Sequence, residues 1–230
     1  MTEKIFSGHQ PNFLPYMGFF YKMYQADVFV LDDDVQYSND AYHNTNFIKV
    51  NGERFRVTVP VSYEFGMPIN KVRICYERNW RKKMLRTISS AYKWAKHLDE
   101  GYEMLERHLA RKDKMLVDLN VALIKEISER FGIGSKIAVA SEDVPTDRKK
   151  NERNIYQCKA LGCNVYYSGA GGIAYNDEKA YSENGIVLRY TDYKPLEYRQ
   201  AGRTEFVENL SVIDYIFNCG FVLPESWRRE

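Results

Sequence analysis

The chain opens with a short apolar run, Lys4–Ser7, that stops at Gly8. The next segment, His9–Pro15 (HQPNFLP), holds two prolines in seven residues. Proline supplies no N–H to a helix or a ladder, so this segment is expected to be a loop. Gly18–Gln25 (GFFYKMYQ) then reads as a helix, and Ala26–Leu31 (ADVFVL) as the continuous apolar run of a strand buried on both faces. It runs into Asp32-Asp33-Asp34. Strand, loop, helix and buried strand make the opening of a parallel α/β unit.

Val35–Asn51 is polar and aromatic and carries Tyr42, His43, Asn44 and Asn46. Phe55–Val61 alternates and predicts a strand, with a further one over Ile69–Ile74. Asn79–Ala95 looks helical, and Leu98–Phe131 holds one long helix or two. Within it Met115, Leu116, Leu119, Leu123, Ile124 and Ile127 fall on one helical face, and Phe131-Gly132 supplies a glycine stop. Lys136–Ala140 reads as a strand, followed by a polar loop over Ser141–Arg148. Glu152–Leu161 is a helix ended by Gly162. Asn164–Tyr167 is a strand running into Ser-Gly-Ala-Gly-Gly. Asp177–Asn184 is a short helix, Ile186–Tyr190 a strand, and Leu210–Asn218 the final helix.

The fold class these elements predict is α/β: a doubly wound, mostly parallel central sheet with helices on both faces, plus a helical insertion in the middle of the chain. No internal repeat, linker or low-complexity tract interrupts the pattern, so residues 1–230 are expected to form a single domain.

Composition agrees with a globular protein, at 44% hydrophobic and 28% charged residues. The 18 tyrosines suit ligand clefts as well as cores. The net charge of +2 exerts no global pull on nucleic acid or anionic membrane, although Arg78–Arg86 and Arg148–Arg153 are local basic clusters. The four cysteines (Cys75, Cys158, Cys163, Cys219) and four histidines fit neither a zinc site nor a disulfide framework, so no metal site is expected. The N-terminus lacks an apolar signal core, and no segment approaches the ~18 apolar residues of a membrane span. A cytoplasmic location is expected, and self-association into a homo-oligomer stays open.

In an open parallel sheet, ligands bind beyond the carboxyl ends of the strands. Three segments leave such ends: His9–Gly18, Asp32–Tyr37 and Ser168–Tyr175. A single helix joins the first two, so their strands should be neighbours. His9 is the candidate general base, in a loop stiffened by Pro11 and Pro15, with Gln10 and Asn12 as amide partners. The same histidine also reads as an ordinary hydrogen-bonded structural one. Asp33 is the second candidate catalytic residue; with Asp32 and Asp34 it can orient His9, bind hydroxyls or an amine, hold a metal, or simply mark a strand end. Ser168, Gly169, Gly171 and Gly172 free backbone N–H groups to face an oxyanion, as in phosphate-binding nests. Arg153, near the start of the preceding helix, is a candidate phosphate ligand. Tyr16, Asn44, Asn46 and Tyr175 complete the expected binding set. Asn209, Ser211 and Asp214 can close the cleft from the last helix, where they also read as capping residues, with Asn209 as the cap.

The stretch HQPNFLPYMGFFYKMYQADVFVLDDDVQYS, with the later Asn-rich turn, NVYYSGAGGIAYNDEKAYSENGIVLRYTDYKP and FVENLSVIDYIFNCG, resembles the WbqC-like protein family. The resemblance implies a place in bacterial surface-polysaccharide (O-antigen type) biosynthesis, near nucleotide-sugar metabolism, and names no reaction. A narrower similarity, Gly8-x-Gln10-Pro11 with Gly18 opening a helix, is to the first strand–turn–helix of tryptophanyl-tRNA synthetases and related nucleotidyl transferases. That similarity implies a doubly wound nucleotide-binding sheet. The matching four residues here are Tyr16-Met17-Gly18-Phe19, without the two histidines of the signature that contacts ATP phosphates.

The leading expectation is an enzyme, a transferase or ligase acting on a nucleotide-linked amino sugar, with acyl or aminoacyl transfer to the amine. ATP with Mg²⁺ is a conceivable cofactor. The alternative is a non-catalytic nucleotide- or sugar-binding accessory protein of polysaccharide assembly. A nucleic-acid modifier is the third reading, and the near-neutral charge counts against it.

Overall fold

The computed structural model describes residues 2–202 and 204–227. In chain order its elements are β1 (Ile5–His9), α1 (Met17–Tyr24), β2 (Val28–Leu31), β3 (Thr45–Val50), β4 (Glu53–Thr58), β5 (Val61–Ser62), β6 (Arg73–Ile74), α2 (Trp80–Ala91), α3 (Leu98–Ala110), α4 (Leu116–Arg130), β7 (Lys136–Val139), α5 (Ala140–Asp143), α6 (Lys150–Ala160), β8 (Val165–Ser168), α7 (Glu178–Glu183), β9 (Val187–Tyr190) and α8 (Val212–Cys219). They belong to two compact units. The first takes the chain up to Gln10, then Gly18–Asp34 and Ile133–Lys194. The second takes Pro11–Met17, Val35–Gly132 and the chain from Pro195 onward.

The first unit is built on a five-stranded sheet in the order β7-β2-β1-β8-β9, with every pairing parallel. The expected strands around Lys4–Gly8, Asp27–Leu31, Lys136–Ala140, Asn164–Tyr167 and Ile186–Tyr190 are its five members. Because side chains alternate across a strand, β2 feeds both faces. Phe29 meets Phe19 of α1 edge-on at 5.1 Å. Val28 and Val30 join Phe6, Ala138, Cys158, Tyr166 and Tyr181 in the cluster under α6 and α7. In that cluster Phe6, Tyr166 and Tyr181 stack in a row, with successive centroids 5.3 Å apart. Helices thus cover both faces, as a continuously apolar parallel strand requires.

The second unit holds two antiparallel strand pairs, β3–β4 and β5–β6, with helices α2, α3, α4 and α8. The middle of the chain, expected as a helical insertion, therefore contains strands as well as helices. The β3–β4 hairpin closes on Asn51-Gly52, both at positive φ (53° and 90°), the backbone that a two-residue hairpin turn demands. Of the apolar positions read as one face of Met115–Ile127, Leu116, Leu119, Leu123, Ile124 and Ile127 are buried in α4, and Met115 is half-buried just before it. Between α3 and α8 the approach is so close that a Cβ on Gly101 would sit 2.7 Å from the Phe217 ring.

Five local expectations are corrected. Ile69–Ile74 is not one strand: a 3-10 turn over Ile69–Lys71 precedes β6, because Ile69 and Val72 both bury, three residues apart. The strand expected over Phe55–Val61 runs over Glu53–Thr58 and stops short of Pro60. The polar segment Val35–Asn51 ends in β3, a strand with Asn46, Ile48 and Lys49 buried. The expected loop Ser141–Arg148 begins inside α5, a single helical turn. The last helix is capped by Ser211, whose side chain accepts from the Ile213 N–H, while Asn209 takes a left-handed φ of 54°.

Candidate functional site

Numbering only the five parallel strands, their order in the sheet is 3-2-1-4-5. From β1 the chain winds outward through β2 and β7, and from β8 it winds the opposite way to β9. The switch point lies between β1 and β8. Loops leaving the two strands there diverge to opposite faces and open a crevice at their carboxyl ends. Phe6 of β1 pairs with Tyr166 of β8, so two residues later both strands deliver Gly8-His9 and Ser168 to the same end. The Ser7 hydroxyl donates to the Tyr167 carbonyl at 2.6 Å and locks the two strands together. His9 and the glycine turn, about 160 residues apart, therefore share the switch point of the first unit.

The His9 ring is half-buried, edge-on to Phe19 at 5.0 Å, with Nδ1 at 3.0 Å from the Gln10 carbonyl. A carbonyl only accepts, so this contact puts the proton on Nδ1 and leaves Nε2 as the basic nitrogen. Beside it, β2 ends in the acidic run. Gly8 makes room for it: a Cβ there would lie 3.0 Å from Asp32 Oδ2. Asp32 Oδ1 accepts from Arg153 Nε (3.1 Å) and Nη2 (2.9 Å) and from Gln157 Nε2 (2.9 Å). Arg153 also donates to both oxygens of Asp34. Arg153 and Gln157, one helical turn apart on α6, present one face to the acids. Burial raises the Asp32 pKa, opposed by Arg153 and Gln157. Burial works against the charge on Arg153, but Asp34 and Asp32 outweigh it and raise its pKa. Arg153, expected to hold phosphate, thus forms ion pairs with two carboxylates. Asp33 is buried and accepts from Ser141 N–H (2.9 Å) and Oγ–H (2.6 Å), which ties the run to the first turn of α5.

After β8 the chain winds as a 3-10 turn over Ala170–Ala174. Gly172 is forced by packing: a Cβ there would lie 2.2 Å from Ser168 Oγ, the oxygen to which Asn176 donates at 3.0 Å. Gly169 and Gly171 face open space instead. Tyr175 is exposed, and its carbonyl accepts from Asn151. Among the described residues no three His, Cys, Asp or Glu side chains gather to hold a metal ion.

The remaining expected site residues lie in the second unit, and several of them hold backbone. Asn46 donates to the carbonyls of Phe13 (3.1 Å) and Leu14 (2.7 Å), and the Ser211 hydroxyl also donates to Leu14 (2.9 Å). Together with Asn120, which donates to Pro11 O at 2.8 Å, they clamp the proline loop. Asn44 bridges the Tyr37 hydroxyl and the Val59 carbonyl. Asn12 is buried, and its Oδ1 has no hydrogen-bond partner among the described residues. Tyr16 is at the surface, in an isolated bridge with Ser211, and Asn209 is exposed. Asp214 is fully buried and accepts from Tyr92 Oη (2.7 Å), Tyr198 Oη and Gln200 Nε2 (2.9 Å).

Two residues at the switch point escaped sequence reasoning. Lys22, buried on α1, donates to the Gly8 carbonyl at 2.6 Å. Burial lowers its pKa to about 8, against the pull of Asp32. A single lysine inside the apolar helix Phe19–Met23 was the available signal. Gln157 carried none, because an amide four residues after an arginine is an ordinary helix surface.

The sequence profile of the WbqC-like protein family matches residues 10–224. A Mycobacterium tuberculosis (strain ATCC 25618 / H37Rv) protein named Uncharacterized protein Rv1507c is 29% identical over 223 residues, covering 95% of each chain. No solved structure matches significantly.

Proposed function

Since the chain belongs to the WbqC-like protein family, we propose that it is an enzyme of bacterial surface-polysaccharide (O-antigen type) biosynthesis that transfers an acyl or aminoacyl group to the amine of a nucleotide-linked sugar. One observation carries the reading: a histidine whose Nδ1 faces the Gln10 carbonyl and a glycine turn lie together at the switch point of a 3-2-1-4-5 parallel sheet, where such sheets take nucleotides. In this reading the diphosphate lies against the Ser168–Tyr175 turn, with the open sides of Gly169 and Gly171 toward it. His9 Nε2 takes a proton from the sugar ammonium. The neutral amine attacks the acyl carbon, the C–N bond forms, and the donor's leaving group departs with the electron pair of the broken bond and takes the second N–H proton. Asp32 and Asp34, braced by Arg153, orient the amine, and Asp33 fixes their segment through Ser141. ATP with Mg²⁺ enters only if the acyl donor needs activation. The cytoplasm, where such sugars are made, is the compartment this reading requires. No helix among the described residues is long and apolar enough to cross a membrane.

A second reading, a non-catalytic nucleotide-sugar-binding accessory protein, is favoured by the same carboxylates: all three of the run already hold hydrogen bonds within the fold. A discontinuous assay with nucleotide-linked amino sugars, acyl and aminoacyl donors, and ATP with Mg²⁺ separates the two. His9→Ala and His9→Gln should each lower turnover by about 10²–10⁴-fold, the usual contribution of a general base. Nucleotide-sugar binding should persist, seen as about 2.7 kcal/mol of added stability at 100 times the Kd. Equal rates in wild type and His9→Ala would remove His9 from the chemistry. Retained binding with no product from any donor would establish the accessory role.

A further inference from the structure

The second unit carries a cavity of about 540 Å³ that the reading above leaves unused. Its walls are the end of the β3–β4 hairpin, the last turns of α2 with the residues after it, and the neighbourhood of Gly202 and Thr204. The volume is that of a small-molecule site, about 300–1,000 Å³. Three cations line it (Lys49, Arg86 and Lys93), together with the hydroxyls of Thr87 and Ser90 and the indole of Trp94. Among the described residues that line it, none is acidic. A solvated basic helix face normally intersperses acids; a concave wall without them concentrates positive potential.

Lys49 is the strongest element. It is only 6% exposed, yet its ammonium donates to two neutral oxygens, Gln200 Oε1 (2.9 Å) and the Glu205 carbonyl (2.7 Å). An ammonium has three N–H donors, and the third meets no acceptor among the described residues. Its position is fixed in advance. The Gln200 amide also donates to the Val207 carbonyl (2.8 Å) and to Asp214 (2.9 Å), and its oxygen accepts from Val207 N–H (3.0 Å). A cation held this way loses little freedom when an anion arrives. At the rim, Trp94 is 79% exposed, with Lys93 Nζ at 5.3 Å from its ring centroid. A large flat apolar surface beside a cationic wall is what a ligand with an anionic group and a flat ring would use.

We propose that this cavity binds a small phosphorylated ring compound, a sugar phosphate or a nucleoside monophosphate, with its phosphate on Lys49, Arg86 and Lys93 and its ring against Trp94. The site lies wholly in the second unit and does not rest on the chemistry assigned to His9.

The test is isothermal titration with glucose 1-phosphate, UMP and inorganic phosphate as probes, paired with tryptophan fluorescence. Glucose 1-phosphate or UMP should bind at least tenfold more tightly than inorganic phosphate, quench fluorescence, and weaken as salt rises. The preferred probe names the ring. The double variant Arg86→Ala/Lys93→Ala should weaken that binding at least tenfold, and Trp94→Ala should abolish the quench. All three substitutions are at exposed positions, so the fold survives them, whereas Lys49→Met alone disturbs a buried residue. His9→Ala should leave this binding intact. Binding insensitive to Arg86, Lys93 and Trp94, or no binding of any probe at 10-fold above about 1 mM, overturns the proposal. Loss of the His9-dependent reaction with this binding retained would count against the function proposed above and not against this site.

Discussion

Each unit shields an aspartate from water, Asp32 in part and Asp214 fully, and the two do it by opposite means. Asp32 in the first unit is met by a guanidinium and an amide, and Arg153 spans it and Asp34 together. Asp214 in the second is met by two tyrosine hydroxyls and an amide, all neutral, with the Lys49 ammonium held on the far side of Gln200. Burial raises both pKa values, opposed in one case by a cation and in the other chiefly by hydroxyl donors. An ion pair fixes charge and geometry but leaves a bare charge when one partner is lost. A ring of neutral donors divides the same task into bonds that fail one at a time. The first arrangement stands beside the proposed reaction site, and the second backs the proposed anion cavity.

The largest expected effect comes from removing the guanidinium. Arg153→Met should destabilise the protein by about 3–5 kcal/mol in urea unfolding, because Asp32 and Asp34 lose their cation together. Adding Asp32→Asn should recover part of the loss. Without any recovery, the damage is to packing, and the contrast between the two aspartates fails.

Acid should separate His43 from the two aspartates by sign. His43 in the second unit is buried, which lowers its pKa from 6.5 to about 4. A depressed folded value means stability present above pH 6.5 and lost as pH falls toward 4, by at most about 3 kcal/mol. Asp32 and Asp214 work the other way. Their raised folded values give stability that is full below the ordinary carboxyl value of 3.8 and is lost as pH rises through the folded value. Urea midpoints at pH 7.0, 5.5 and 4.5 should therefore fall for wild type and fall less for His43→Gln. Parallel slopes would show that His43 titrates alike in both states.

Asp214→Asn should cost about 1–3 kcal/mol, since the new amide N–H₂ displaces at least one of the donors that the carboxylate accepts from Tyr92, Tyr198 and Gln200. Tyr92→Phe should cost least, about 1 kcal/mol, as one of three donors to Asp214 is lost together with the acceptor for the Lys49 N–H. A Tyr92→Phe loss as large as that of Arg153→Met would mean that the neutral ring behaves as a single charge-bearing unit after all.

The five parallel strands and the loops at their carboxyl ends were legible from the chain. Apolar runs such as ADVFVL, the proline pair of HQPNFLP and the glycines after Asn164–Tyr167 report burial and backbone constraint one residue at a time. Those properties reside in the local sequence, because the transfer of a side chain from water and the φ of a proline need no distant partner. The single helix between the first two strands even made them neighbours. Which other strands meet, and which polar groups do, was decided elsewhere. Asp32 finds Arg153 across 121 positions, Asp214 finds Tyr92 across 122, and Asn46 and Ser211 turn out to clamp Leu14. Such pairings are properties of two residues at once, selected only when the whole core packs and each buried polar group must be matched. That is why Asn44 and Asn46, read as ligand-binding, serve the backbone, and why Gln157 and Lys49 gave no sign in the sequence.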